Sequence, residues 1–196
     1  MRTYNHLFTD VYKFREFLDE VSVKDSDRIL IRIHSAIHTK EQMQDLTEQI
    51  RELLPDAGII GCSTMQVISD GQLVPTACLI SVTIMDRAVV KTARVSCLDD
   101  NGEWKAGDVL AEEVVRETLH GQEGFLLIFF PLPYGKIENF VETVNETGVA
   151  VKMLGGAAYL EDKEGNSRGD LAYVLEGTTV SGTDAVMALI SAEDLC

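Results

Sequence analysis

"AGIIGCSTMQVISDG", residues Ala57 to Gly71, decides how this chain is read. Two isoleucines run into Gly61, then into Cys62, Ser63 and Thr64. A short apolar run closed by glycine and small polar residues reads as a buried strand with a tight exit. Upstream, "TKEQMQDLTEQIRELLP" spaces Met43, Leu46, Ile50, Leu53 and Leu54 as one helical stripe. Thr39 and Gln42 form a capping box at its start, and Pro55 stops it. Before that helix, "RILIRIHS" reads as a strand. Strand, helix and strand make a crossover unit with parallel strands.

Downstream, "ACLISVTIM" and "AVVKTARVSC" read as two more strands. The short "DR" between them predicts a hairpin. The same order then recurs. "GFLLIFF" reads as a central strand buried on both faces. "KIENFVETVNET" is helical through Ile137, Phe140, Val141 and Val144, "VAVKMLGG" is a strand, and "EDKEGNSRGD" is a polar loop. "LAYVLEG" and "DAVMALIS" predict a closing hairpin. Ile29 to Gly61 and Phe125 to Gly156 differ in spacing by one residue. The expected fold is therefore α/β, from duplicated β-α-β-β-β units whose mixed sheets carry helices on one face, in a layered sandwich. A single domain spans residues 1–196, with pseudo-repeat halves at about 29–97 and 125–191. Ahead of the first half, "DVYKFREFLDEV" gives a helix. "DVLAEEVVRETLH" gives another, with Asp108 expected as its cap and Gly121 after its end.

Composition narrows the functional classes. The 196 residues are 45% apolar, enough to bury one domain core. The net charge of −15 disfavours nucleic acid and anionic membrane surfaces, both of which repel it. No run approaches the length of a membrane span, and the N-terminus lacks a secretory core, so a cytoplasmic location is expected. Cys62, Cys78, Cys97 and Cys196 include no C-x-x-C spacing, so neither a zinc site nor a disulfide framework is expected.

Ligands of α/β sheets gather beyond the carboxyl ends of parallel strands. That rule selects His34 and Ser35 after the first strand, and Gly61, Cys62, Ser63 and Thr64 after the second. In the second half it selects Pro131, Pro133 and Tyr134, then Gly155, Gly156, Ala157 and Tyr159. Cys62 has no hydrolase signature around it, so a thiol-dependent hydrolase or transferase is the rival reading, not the first. His34 and His38 are four apart outside a helix, which brings no metal-binding pair together. "LGGAAY" lacks the dinucleotide-loop spacing. Its glycines fit either close strand packing or N–H groups open to a carboxylate. Trp104 fits either stacking on a ligand or anchoring its loop. No catalytic residue, metal or cofactor is expected.

"LLPDAGIIGCSTMQVISDG" with "ACLISVTIM" resembles the N-terminal module of FIST domains, in which a strand enters a Gly-Cys-Ser or Gly-Ser-Ser turn. "MLGGAAYLEDKEGNSRGDLAYVLEG" is similar to the family's second hallmark, a Gly-Gly-Ala strand end before a polar loop. The resemblance covers about Ile29 to Ser191. It implies an intracellular sensory module, not an enzyme, that binds a small ligand such as an amino acid. It implies relay to an output of histidine kinase, diguanylate cyclase or chemoreceptor type. Carried onto this chain, the implied cradle is Gly61, Cys62, Ser63 and Thr64 with Gly155, Gly156 and Ala157. Met65 and Gln66 replace the family's frequent Ala-Gly and make the turn bulkier. The family's C-terminal companion module is an expected partner. This sequence carries none, as a piece of a longer protein or a stand-alone half would. A third reading is an interaction module that binds a protein through a sheet edge or apolar patch, with no ligand.

Overall fold

The computed structural model describes residues 1–119, 123–160 and 171–192. The strands are β1 (Arg2–Leu7), β2 (Ile29–Ser35), β3 (Gly58–Ser63), β4 (Gln66–Ser69), β5 (Gln72–Pro75), β6 (Cys78–Ile84), β7 (Ala88–Ser96), β8 (Gly124–Phe130), β9 (Val151–Ala157), β10 (Val174–Glu176), β11 (Thr179–Ser181) and β12 (Asp184–Ala192). The helices are α1 (Val11–Glu20), α2 (Lys40–Leu53), α3 (Gly107–Val114) and α4 (Ile137–Glu146). A π-helical turn, Val115–Leu119, continues α3.

Two mixed sheets form the centre, in the orders β1-β6-β2-β3-β10-β11 and β7-β12-β8-β9. Strands β4 and β5 make a separate antiparallel ribbon. The two sheets share one pattern. β1-β6-β2-β3 and β7-β12-β8-β9 each run antiparallel, antiparallel, parallel.

Side-chain alternation then sorts the layers. Ile29, Ile31, Ile33 and Ile59 face Phe14 and Leu18 of α1 and Met43, Leu46 and Ile50 of α2. Leu126, Ile128 and Phe130 face Leu110, Ala111 and Val114 of α3 and Phe140 of α4. The opposite faces meet one another through Leu30, Ile60, Cys62, Val90, Leu127, Phe129, Val174 and Val186. The result is a four-layer α-β-β-α sandwich, the architecture expected from the pattern. Each fully buried Ile or Leu contributes about 1.5–3 kcal/mol. The stripes of three apolar layers therefore dominate the stability.

Both expected hairpins are absent, for one physical reason. Strand β6 has β1 on one edge and β2 on the other. No edge remains for β7, so the chain crosses at Asp86–Arg87 and pairs β7 with β12 in the other sheet. Strand β12 is likewise flanked on both edges by β7 and β8, so β10 docks on β3 of the first sheet. The sheets are thus completed by strands from both ends of the chain.

Local signals fare unevenly. The Thr39–Gln42 capping box is formed on α2. Asp108 does not cap α3, whose N-cap is Ala106. The amide of Asp108 instead donates to Asn139 Oδ1 of α4 at 3.0 Å. Gly121, the polar loop 161–170 and Cys196 lie outside the described residues.

Candidate functional site

Of the selected residues, His34, Ser35, Gly61, Cys62, Ser63, Gly155, Gly156 and Ala157 lie within β2, β3 and β9, whereas Thr64, Pro131, Pro133, Tyr134 and Tyr159 follow the strand ends. The register pairs His34 with Cys62 and Ser35 with Ser63, and β10 adds Val174 on the other side of Cys62. Gly155, Gly156 and Ala157 are the last residues of β9, paired with Ile128, Phe129 and Phe130. Pairing on β3 and β9 runs farther than the glycines suggested because the neighbouring strands continue to offer hydrogen-bonding partners.

Cys62 is 5% exposed, at the interface between the sheets. Its Sγ lies 3.5 Å from His34 Nδ1. Burial pushes the thiol up to about 12. Burial, then the charge of Arg32, holds His34 down to about 4. Both groups are therefore neutral near pH 7, the opposite of a thiolate–imidazolium pair. The His34 ring also meets Phe129 edge-on, with centroids 5.4 Å apart.

Ser63 is buried in a seam of the fold. Its hydroxyl accepts from the Tyr173 amide at 3.0 Å, and its own amide donates to Tyr173 O at 2.9 Å. Its carbonyl accepts from the Tyr159 amide at 3.1 Å, which brings the segment after β9 against the end of β3. Thr64 is half-buried, and its hydroxyl donates to Gln66 O at 3.0 Å. His38 points elsewhere, with Nδ1 2.8 Å from Ser35 Oγ, so it does not converge with His34.

The two glycine clusters share no cavity among the described residues. Gly155 and Gly156 line a shallow cleft of about 150 Å³ with Ile137, Val141 and Met153. That volume is small beside the 300–1,000 Å³ typical of ligand sites. His34 and Thr64 line a different and larger space. It runs along the inner face of the first sheet, where β1, β6 and β2 are only partly covered by the second. One lobe, about 350 Å³, lies between Leu30, Arg32 and Thr83 below and Phe125, Leu127 and Leu154 above. The other, also about 350 Å³, continues over Arg32, His34 and Ser81 to Thr64 and the β4–β5 ribbon. Thr3 and Arg32 belong to both lobes.

The sequence reading passed over Arg32, the floor of this cleft. A lone cation inside the apolar run "ILIRIHS" was the signal available. It also passed over β1 and the ribbon, although Asp70–Gly71 between "QVIS" and "QLVP" is a hairpin turn signal and both residues have positive φ. Trp104 proves to be an anchor. It bridges to Leu98 and packs 6.1 Å from Tyr134.

Among the described residues, no group of three or more His, Cys, Asp or Glu side chains is placed to hold a metal ion. No described helix is long and apolar enough to cross a membrane.

Fold and site together define an α-β-β-α sandwich with an open cleft between its sheets. The FIST N domain family matches residues 30–195, and the chain belongs to that family. FIST domains are sensory domains of signal transduction. No curated protein and no solved structure matches the chain.

Proposed function

We propose that this domain senses a small ligand bound in the cleft between its two sheets and relays occupancy to a signalling output. The observation that carries this reading is the cleft's construction. Its floor is β1, β6 and β2, and its roof is β8 and β9, so one ligand touches both sheets at once. A ligand shifts a conformational equilibrium only through differential contact with the two states. A molecule that bridges two separately helix-backed sheets has that contact. The output would be a companion C-terminal FIST module and a histidine kinase, diguanylate cyclase or chemoreceptor-type domain, as family membership suggests. Family membership also suggests an amino acid as ligand, whereas the cleft itself requires only a small molecule that reaches both sheets.

Of the expected ligand-binding residues, His34 and Thr64 border this cleft. Cys62 and Ser63 support its floor from within the sheet, and Gly61 lets β3 lie close to β2. Gly155, Gly156, Ala157 and Tyr159 would act indirectly, by setting the position of β9. This reading has no catalytic step. The rival Cys62-dependent hydrolase finds no support in a protonated, buried thiol.

A thermal-shift panel of amino acids, short carboxylates and nucleotides tests the reading. A ligand in hundredfold excess over its Kd stabilises the native state by about 2.7 kcal/mol. A saturable shift that is lost in Leu127→Trp, which fills the cleft, is the expected result. A shift unaltered by that change places binding elsewhere and overturns this site.

A further inference from the structure

We propose that Arg32 makes the cleft a binding site for a small organic carboxylate with an apolar tail, and that it selects such an acid over a zwitterionic amino acid. The inference rests on the reading of the cleft as a ligand site and names the ligand's chemistry.

Arg32 sits in the middle of β2, between Leu30 and His34 on the inner face. Strand register lays Ser81 of β6 beside it, and Asn5 of β1 beyond that. Among the described residues lining the two lobes, Arg32 carries the only charged side chain. It makes no ion pair and no hydrogen bond with other described residues, and its Nε is buried without a partner. Burial pulls its pKa below the ordinary value, as expected of a cation held out of water. Buried charges in folded proteins are normally paired, because one held out of water without a partner is costly. A half-buried guanidinium facing an apolar wall is poised for an anion that arrives from solution. Its planar donors match a carboxylate in two parallel hydrogen bonds.

The surroundings define the rest of the ligand. Phe125, Leu127, Leu154 and Leu30 give the lobe beside Arg32 an apolar wall. That surface suits an aliphatic or aromatic tail. Thr3 and Thr83 pair their hydroxyls at 3.0 Å. One hydroxyl donates to the other, so one proton of the pair stays available to a carboxylate oxygen. No Asp or Glu is among the described residues lining either lobe. An α-ammonium group would lie near the guanidinium with no counter-charge, and like-charge proximity disfavours it.

Isothermal titration of the full chain at pH 7.5 tests this with matched probes. They are 4-methylpentanoate, its amide, leucine, acetate and inorganic phosphate, with octanoate and phenylacetate as alternative tails. At least one tailed carboxylate is expected to bind about tenfold or more tightly than the amide, leucine, acetate and phosphate. Arg32→Met is expected to keep its Tm, since it removes an unpaired charge, and to lose that preference. Leu154→Trp, at an exposed position on the cleft wall, is expected to weaken the same carboxylate about tenfold and guards against a misfolded Arg32 variant. Equal binding of acid and amide, tighter leucine, or unchanged binding in either variant overturns the proposal while leaving a small-ligand sensor intact. No binding by any probe overturns the proposal, while the cleft reading is decided by the wider ligand panel and Leu127→Trp.

Discussion

Gly61 of β3 and Gly155 of β9 occupy equivalent places in the two sheets. Each is paired with an isoleucine on the neighbouring parallel strand, Ile33 and Ile128. A Cβ built on Gly61 would lie 2.0 Å from Ile33 O, and one on Gly155 would lie 1.8 Å from Ile128 O. Both glycines are therefore required by close strand approach, whether or not a ligand is present.

The first prediction separates packing from ligand contact. Gly61→Ala is expected to cost about 3 kcal/mol, because β3 is central and its carbonyl neighbour cannot yield. Gly155→Ala should also destabilise, but less, because β9 is an edge strand and can shift. Gly156→Ala, with open space around its Cβ, should fall within about 0.5 kcal/mol of wild type. Urea midpoints of the three variants check this. Equal values would show that strand approach is not what fixes these glycines.

Stability should depend on the protonation of His34. An unfolded histidine titrates near 6.5, whereas His34 in the native state is held down to about 4. Between these values the unfolded chain binds a proton that the native chain refuses. The contribution is complete above about pH 6.5 and is lost as pH falls toward 4, on the order of 3 kcal/mol in all. The difference between wild type and His34→Leu across this range isolates the effect from His6 and His38, which burial also shifts down. Parallel pH curves would refute it.

The thiols should be slow. Burial raises Cys62, Cys78 and Cys97 to about 12. Against an ordinary thiol near 8.5, alkylation near neutral pH should be about a thousandfold slower. Mass-resolved iodoacetamide labelling of the native protein in a Cys196→Ser background reads this. Rapid uptake of one equivalent at Cys62 would revive thiol chemistry there.

Ser63→Ala should cost about 1–3 kcal/mol, because it leaves the buried Tyr173 amide without its side-chain acceptor. Lost ligand binding in this variant would therefore report a damaged seam as readily as a lost contact. Thr64→Val, at the half-buried border of the cleft, is the cleaner probe of ligand contact. Chemical denaturation of both variants should show the first weakened and the second close to wild type.

Tyr134 tests the opposite case. Its ring stacks on Phe130 with centroids 5.6 Å apart, and its buried hydroxyl has no partner among the described residues. Tyr134→Phe removes that polar atom and keeps the stack. It should be neutral or raise stability by up to about 1 kcal/mol. A marked loss would reveal a partner to the hydroxyl.

The sequence was informative wherever local chemistry decides structure. The helical stripe from Met43 to Leu54 and its Thr39–Gln42 box are both realised. So are the parallel pairs β2–β3 and β8–β9, because apolar strands joined through a helix have few other ways to bury both faces. Isolated residues were harder. Gly61 and Gly155 looked like strand exits, but what fixes them is the carbonyl of a strand distant in sequence. Arg32 carried no reading within its hydrophobic run, and only the partly covered inner face shows that it floors a cleft.

Periodicity, caps and spacing thus indicated by themselves an α/β chain of mixed sheets with covering helices, and its motifs already resembled FIST domains. Only the tertiary structure decided which strands share a sheet. "DR" at Asp86–Arg87 suits a hairpin, but β6 was already flanked by β1 and β2, so β7 had to cross to the other layer. Edge occupancy is a property of the whole sheet, and no window of sequence contains it. The cleft and the exposure of Arg32 to it follow from the same cause, the partial overlap of two sheets completed by strands from opposite ends of the chain.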